Sequence, residues 1–401
     1  MASQPCSAET GQARPRLEVA DIFRAASGAY CDRYVPTPEQ RKVIVAIERC
    51  RTAKLGGHVD VCSKCGHERP SYNSCRNRHC PKCQCLAQAR WIARRQERVI
   101  PTKYFHVVFT LPEPLRTIAR ANPVAIYDLL FESATRTLLD FGHSRLHAQI
   151  GITAVLHTWT RDLRFHPHVH CIVTAGGLDD DGHWVPARSR FLFPVKAMSK
   201  VFRGKFLEGL TMLHANQSLA YEGHCSHLGE PSEFAKLKDR LYDQSWVVYA
   251  KQAFGGPAQV FQYLGRYTHR VGISNQRLVS FDGAEVCFFT KQGKTSTIDA
   301  VEFVRRFLLH VLPAHFVKIR HYGLVAAANV RSKLETARCC LQGAAGAAQP
   351  TPRPASQPSW QELLCALTGF DLHLCPACGA RAMQNHSIAP GMTNGWQLDT
   401  S

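Results

Sequence analysis

The chain has no run of roughly 18 uncharged apolar residues, which leaves no candidate for a membrane-spanning helix. Its opening residues, Met1-Ala-Ser-Gln-Pro-Cys6, lack the basic-then-apolar order of a secretion signal, so a soluble, cytoplasmic protein is expected. Acidic residues are scarce. Against 31 Asp and Glu stand 49 Lys and Arg, a formal charge of +18 over 401 residues. An excess of this size predicts a polyanionic partner, nucleic acid before any other. Cysteine, by contrast, is abundant at 17 residues. In a reducing compartment disulfides are rare, so clustered cysteines read first as metal ligands. The hydrophobic fraction of 45% is ordinary, and the length suffices for two or three domains.

The cysteines cluster early. Cys62-Ser-Lys-Cys65 and Cys80-Pro-Lys-Cys83 are two C-x2-C knuckles with 14 residues between them. Each knuckle presents two sulfurs to one ion, so the pair predicts a zinc ribbon holding Zn2+ through Cys62, Cys65, Cys80 and Cys83. Cys75, His79, His58, His67 and Cys85 crowd the same segment, and spacing alone does not decide whether one of them replaces a ligand or joins a second ion. Arg76, Arg78 and Lys82 are interleaved with the knuckles, and the expected helix Leu86–Val99 carries Arg90, Arg94, Arg95 and Arg98. A basic helix beside a ribbon suits DNA phosphates, while the bland alternative is a solvated helix face. A further knuckle, Cys375-Pro-Ala-Cys378, has no evident partner nearby.

Flanking elements can be placed. Leu17–Ser27 predicts a short helix. Thr37, Pro38 and Gln40 mark the start of another through a capping box with proline in its first turn. Lys103–Leu111 alternates as a strand, 113–121 and 123–141 are helical, and Ile150–Thr160 is a strand turning back through Arg161–Pro167. That hairpin leads into Phe165-His-Pro-His-Val-His-Cys-Ile-Val173. Residues two apart on a strand share a face, so His168 and His170 project together as a two-imidazole metal grip. His157, on the opposed strand, is a candidate third ligand, or equally a hydrogen-bonded structural histidine. His166 has the right parity, but Pro167 suggests that it belongs to the turn. Helices are expected at Val195–Leu213 and Asp299–Leu312, strands at Ser245–Lys251 and Phe316–Leu324, and a meander near 271–290.

Gln259–Thr268 reads as a helix on which Tyr263 and Tyr267, four apart, emerge on one face, with Arg266 and Arg270 as basic neighbours. An aromatic core stripe is the plainer reading. A histidine-held Mg2+ or Mn2+ together with two phenols, however, has the parts for phosphoryl transfer. A tyrosine attacks phosphorus, leaving a 5′-phosphotyrosyl strand and a free 3′-hydroxyl, and a second tyrosine lets one end be held while another is cut. Single-stranded DNA is the expected substrate.

These residues resemble the two-tyrosine HUH transposases of the insertion-sequence-ninety-one family. The resemblance rests on Asn73–Gln84, on Leu156-His-Thr-Trp159 with His166–Cys171, on Tyr263-Leu-Gly-Arg-Tyr-Thr268 and on Ile319-Arg-His-Tyr-Gly323. It implies an α/β (α+β) architecture, in which a small zinc domain with flanking helices precedes an antiparallel-sheet HUH nuclease. It further implies rolling-circle-like transposition, with His168 and His170 as metal ligands and Tyr263 and Tyr267 as nucleophiles. DNA, single-stranded at the element ends, is then the partner, with host replication machinery as a further one and the bacterial nucleoid as the place of action. The expected organisation is a leader at 1–16, the zinc domain at 17–100, the nuclease at 101–342, a linker at 343–359 and a tail at 360–401. Two other readings stay open at this point: a plasmid or phage replication initiator with the same chemistry, and a non-catalytic zinc-dependent DNA-binding protein.

Overall fold

The structure, a computed structural model, describes residues 17–83, 98–187, 192–254, 272–343 and 359–391. Among the described residues there are three antiparallel sheets. The largest joins β3 (Tyr104–Thr110), β4 (Gln149–Trp159), β5 (Phe165–Leu178), β6 (Trp184–Pro186), β7 (Val248–Phe254) and β11 (Ile319–Gly323) in the order β11-β4-β5-β3-β7, with β6 on β5. A meander follows from β8 (Leu278–Phe281), β9 (Glu285–Phe289) and β10 (Thr295–Asp299). The third sheet pairs β1 (Gly57–Cys62) with β2 (Glu68–Tyr72) and with β12 (Met383–Ile388), from the far end of the chain. The expected mixed architecture with antiparallel sheets is thus the observed one.

Period-two alternation gives the main sheet two unlike faces. Phe105, Val107 and Phe109 of β3, Ile152, Ala154 and Leu156 of β4, and Val169, Cys171 and Val173 of β5 point one way and are buried. They pack on the helices Pro123–Leu146 and Val195–Ala215, whose Leu130, Phe131, Leu138, Phe202 and Phe206 complete that core. Each of the valine, leucine, isoleucine and phenylalanine side chains among them contributes on the order of 1.5–3 kcal/mol by leaving water. The other face carries the alternate residues, including His106, His157, His168 and His170. Its far end is covered by a smaller core of Tyr104, Val155, Ile172 and Leu178 under Leu334 and Ala337.

A second core joins the N-terminal helices Val19–Arg33 and Pro38–Arg49 to the meander and the helix Ala300–Leu308, with Phe23 edge-on to Phe307 at 5.1 Å. The Thr37 cap forms as expected, its Oγ1 accepting from Gln40 N and Gln40 Oε1 accepting from Thr37 N. The first helix runs six residues past its expected end at Ser27, because Tyr30 still faces this core. Leu163, at the tip of the β4–β5 hairpin, is fully buried in the same core at a left-handed φ of 61°. Burying a leucine offsets what a β-region residue loses by turning there. The hairpin is thereby held at its tip as well as along its flank.

His310 ties the two cores together. It is fully buried, its Nε2–H donating to Leu163 O at 3.1 Å and its Nδ1 accepting from the Thr158 hydroxyl at 3.2 Å. Burial pushes its pKa down to about 4. The folded state therefore binds no proton where an unfolded histidine, with a pKa near 6.5, does, so the stability is complete above about pH 7 and is lost as pH falls toward 4. Between pH 7.5 and pH 5 this single group should cost about 2 kcal/mol. Urea titrations at the two pH values should show that much less pH dependence in His310→Gln, and an unchanged slope would exclude His310 as the titrating tie.

Candidate metal centres

The β4–β5 register sets His157 directly opposite His168. One extra residue on β5 between the pairs His157–His168 and Trp159–Phe165 makes a bulge, and Pro167, which lacks an N–H to give the ladder, falls inside it. His166 therefore lies within the strand rather than in the turn, and Arg116 donates to its Nδ1 at 3.4 Å. Beyond the bulge, His168 and His170 share a face with His157. The ring of His157 lies 5.4 Å from that of His168 and 4.3 Å from that of His170, and one ring nitrogen from each of the three lies within 4.8 Å of the others. His157 is itself buried and stacked on Trp159 at 4.7 Å, so it cannot easily swing away.

Two contacts aim the rings. His168 Nδ1–H donates to His166 O at 2.7 Å, which leaves Nε2 as the bare nitrogen. His170 Nδ1 lies 2.8 Å from His106 Nε2, in nearly coplanar rings. When His170 Nδ1–H donates to His106, the ring's lone pair lies on Nε2, the atom an ion would bind. A histidine whose second nitrogen is so held is the usual arrangement around a metal. Burial holds His168 and His106 down to about 4 and His170 well below the ordinary value, so all three stay neutral, the ligating form, at pH 7. The donor set fits a divalent ion with positions left for substrate. His106 escapes sequence reasoning because nothing in β3 reveals that it will neighbour His170.

The cysteines assemble differently from the expected single ribbon. Cys80 and Cys83 join Cys50 and Cys75, while Cys62 and Cys65 join Cys375 and Cys378. The reason is the β1–β2 hairpin. It carries the chain away from Cys65 and returns it beside the end of the helix Pro38–Arg49, where Cys50 is the C-cap. Cys83 Sγ lies 3.4 Å from Cys50 Sγ and 3.6 Å from Cys75 Sγ. Four sulfurs bonded at about 2.3 Å to a tetrahedral zinc would sit about 3.8 Å apart, so the cluster fits that ion after a slight expansion. Contacts from Cys50, Cys75 and Cys80 hold the Cys83 thiol far down, and contacts from Cys50, Cys75 and Cys83 push Cys80 up. His79, considered above as a substitute ligand, instead accepts from Arg78 Nε at 3.3 Å.

The expected phosphate contacts divide. Arg76 is exposed. Arg78 donates to the carbonyls of Phe316, Leu312 and Pro313, Lys82 pairs with Glu18, and Arg98 donates to Val325 O, so these three cations are engaged within the protein. Arg78 and Arg98 thus join the N-terminal segment to residues beyond 310, and Lys82 pairs with the start of the first helix. Arg90, Arg94, Arg95, Arg266, Arg270, Tyr263 and Tyr267 lie outside the described residues.

If His106 fixes His170, His106→Ala should weaken Mn2+ binding about 10- to 100-fold while leaving the cysteine-bound metal untouched. A Mn2+ titration followed by electron paramagnetic resonance measures this, and unaltered affinity would remove His106 from the site.

The chain is similar to known proteins over most of its length. A transposase zinc-binding domain matches residues 22–111, and a putative transposase family matches residues 151–333. The putative transposase y4qJ of Sinorhizobium fredii is 43% identical over 392 residues, spanning 95% of this chain and 98% of that one. The transposase for insertion sequence element IS801 of Pseudomonas savastanoi pv. phaseolicola is 28% identical over 365 residues, spanning 87% of this chain and 84% of its own. Among solved structures, the conjugative relaxase TrwC in complex with oriT DNA overlaps 41% of this chain and 70% of its own at 12% identity and a TM-score of 0.25. On 43% identity over nearly its whole length, the chain belongs to the insertion-sequence-ninety-one family of transposases, with an N-terminal zinc-binding domain.

Proposed function

We propose that the protein nicks and rejoins single-stranded DNA through 5′-phosphotyrosine links and so moves an insertion sequence by a rolling-circle-like route. The observation that carries this reading is the trio His157, His168 and His170, convergent on one sheet face, with His157 buried and the other two half-buried. A divalent ion held there would polarise the scissile phosphate and offset the charge that builds up in the in-line transition state. Three imidazoles suit Mn2+ better than Mg2+, which prefers oxygen ligands.

Tyr263 and Tyr267 are the proposed nucleophiles. One phenolic oxygen bonds to phosphorus as the bond to the 3′-oxygen breaks, and that oxygen leaves as a hydroxyl after taking up a proton. The bond energy stays in the phosphotyrosine, so attack by another 3′-hydroxyl rejoins DNA without ATP. The second tyrosine holds one end while the first is exchanged. Arg76, together with Arg90, Arg94, Arg95, Arg266 and Arg270, supplies cations for the backbone, in keeping with the +18 charge. Zn2+ at Cys50, Cys75, Cys80 and Cys83 holds the N-terminal segment in shape. A replication initiator would use the same steps; the two relatives, both named transposases, support transposition instead.

Incubation with an oligonucleotide spanning an element end and Mn2+ should give a protein–DNA adduct that survives denaturation. Tyr263→Phe/Tyr267→Phe should abolish it, and His168→Ala should slow it on the order of 100-fold or more. Undiminished adduct in the double tyrosine variant would refute the assignment.

A further inference from the structure

The knuckle at Cys375–Cys378 lies beyond both matched family regions, and the fold brings it to the first knuckle, more than 300 positions away. Cys62 Sγ is 3.7 Å from Cys378 Sγ, and Cys65 Sγ is 3.7 Å from Cys375 Sγ. That is close to the roughly 3.8 Å edge of a zinc–thiolate tetrahedron. From these distances we propose that Cys62, Cys65, Cys375 and Cys378 form a second four-thiolate zinc centre, separate from the Cys50 cluster and from the histidine site.

Two further observations point to a ligand there. First, the knuckles are built alike. Gly66 N donates to Cys62 O and Gly379 N to Cys375 O, both at 2.9 Å. Cys62 N donates to His67 O and Cys375 N to Ala380 O, again both at 2.9 Å. Gly66 and Gly379, each just after the second cysteine, take left-handed φ values of 71° and 68°. This tight turn, which glycine makes without strain, turns two sulfurs toward one point. Two copies of it face each other across the cluster.

Second, the surrounding sheet is built to bring the tail in. β12 pairs antiparallel with β1 from Gly57–Ile388 to Cys62–Met383, and Ser63 N donates to Ala382 O at 2.9 Å. Buried Asp60 of β1 accepts from Arg69 of β2 at 2.8 Å and from Asn385 of β12 at 2.7 Å. Arg69 also donates to Leu372 O and lies over the Phe370 ring at 4.5 Å. The polar triad and the strand register each place the second knuckle against the first. So small a three-stranded sheet has little apolar core, and a metal would supply what burial does not.

The proposal makes the tail an integral part of the N-terminal zinc domain, and its test is independent of nicking. Elemental analysis of the purified full-length protein should find two zinc ions per chain, and one in Cys375→Ser/Cys378→Ser. Because a serine variant can misfold, the wild-type protein provides a second measure. Cys65 and Cys378 are exposed and, as free thiols, would alkylate at once. Mass mapping should find both protected from iodoacetamide until a chelator is added, and then released together with Cys62 and Cys375. Rapid alkylation of Cys65 and Cys378 in zinc-replete protein would overturn the proposal, as would two zinc ions retained in the serine variant.

Discussion

The register of the β4–β5 hairpin is the constraint on which the candidate site depends. A slip of one residue would turn His168 and His170 into the helix-packed core and Val169 out of it. Three features oppose that slip: the bulge at Pro167, the apolar residues Leu156, Val169 and Cys171 on the opposite face, and Leu163 seated in the second core. Each is an ordinary packing feature. Together they hold three imidazoles on a rigid strand pair, where a loop could not keep them.

The zinc-binding segment is fastened to the rest of the chain by polar ties as well as by contact of apolar surfaces. Arg78 reaches the carbonyls of Leu312, Pro313 and Phe316, just before β11, while within the N-terminal segment itself Lys82 closes a nearly buried ion pair with Glu18 at the start of the first helix. Losing one partner of such a pair leaves an uncompensated charge, which is costlier than the pair is stabilising. Arg78 thereby ties the N-terminal segment to the approach to β11, and Lys82 ties the second knuckle to the first helix.

Period-two alternation made the histidine face legible from sequence, and the Thr37 cap marked the second helix without any tertiary knowledge. Strand partners were not legible. His106 and His170 sit 64 positions apart in the chain, and only the β3–β5 pairing makes them neighbours. The same limit explains the sulfur clusters. Spacing identified Cys62–Cys65 and Cys80–Cys83 as knuckles, yet adjacency in sequence suggested that they shared one ion. Strand pairing of β12 on β1, and the return of the chain to Cys50 after β2, divide them instead. Cys50 gave no signal of its own, being a lone cysteine at a helix end.

The claim that most needs measurement is that the imidazole trio is a divalent-ion site. Anomalous diffraction at the manganese edge, from crystals grown with Mn2+, reads it directly. A peak within bonding distance of nitrogens on His157, His168 and His170 is the expected result. A bare trio, with manganese bound instead at the partly exposed group Asp179, Asp181 and His183, would contradict it.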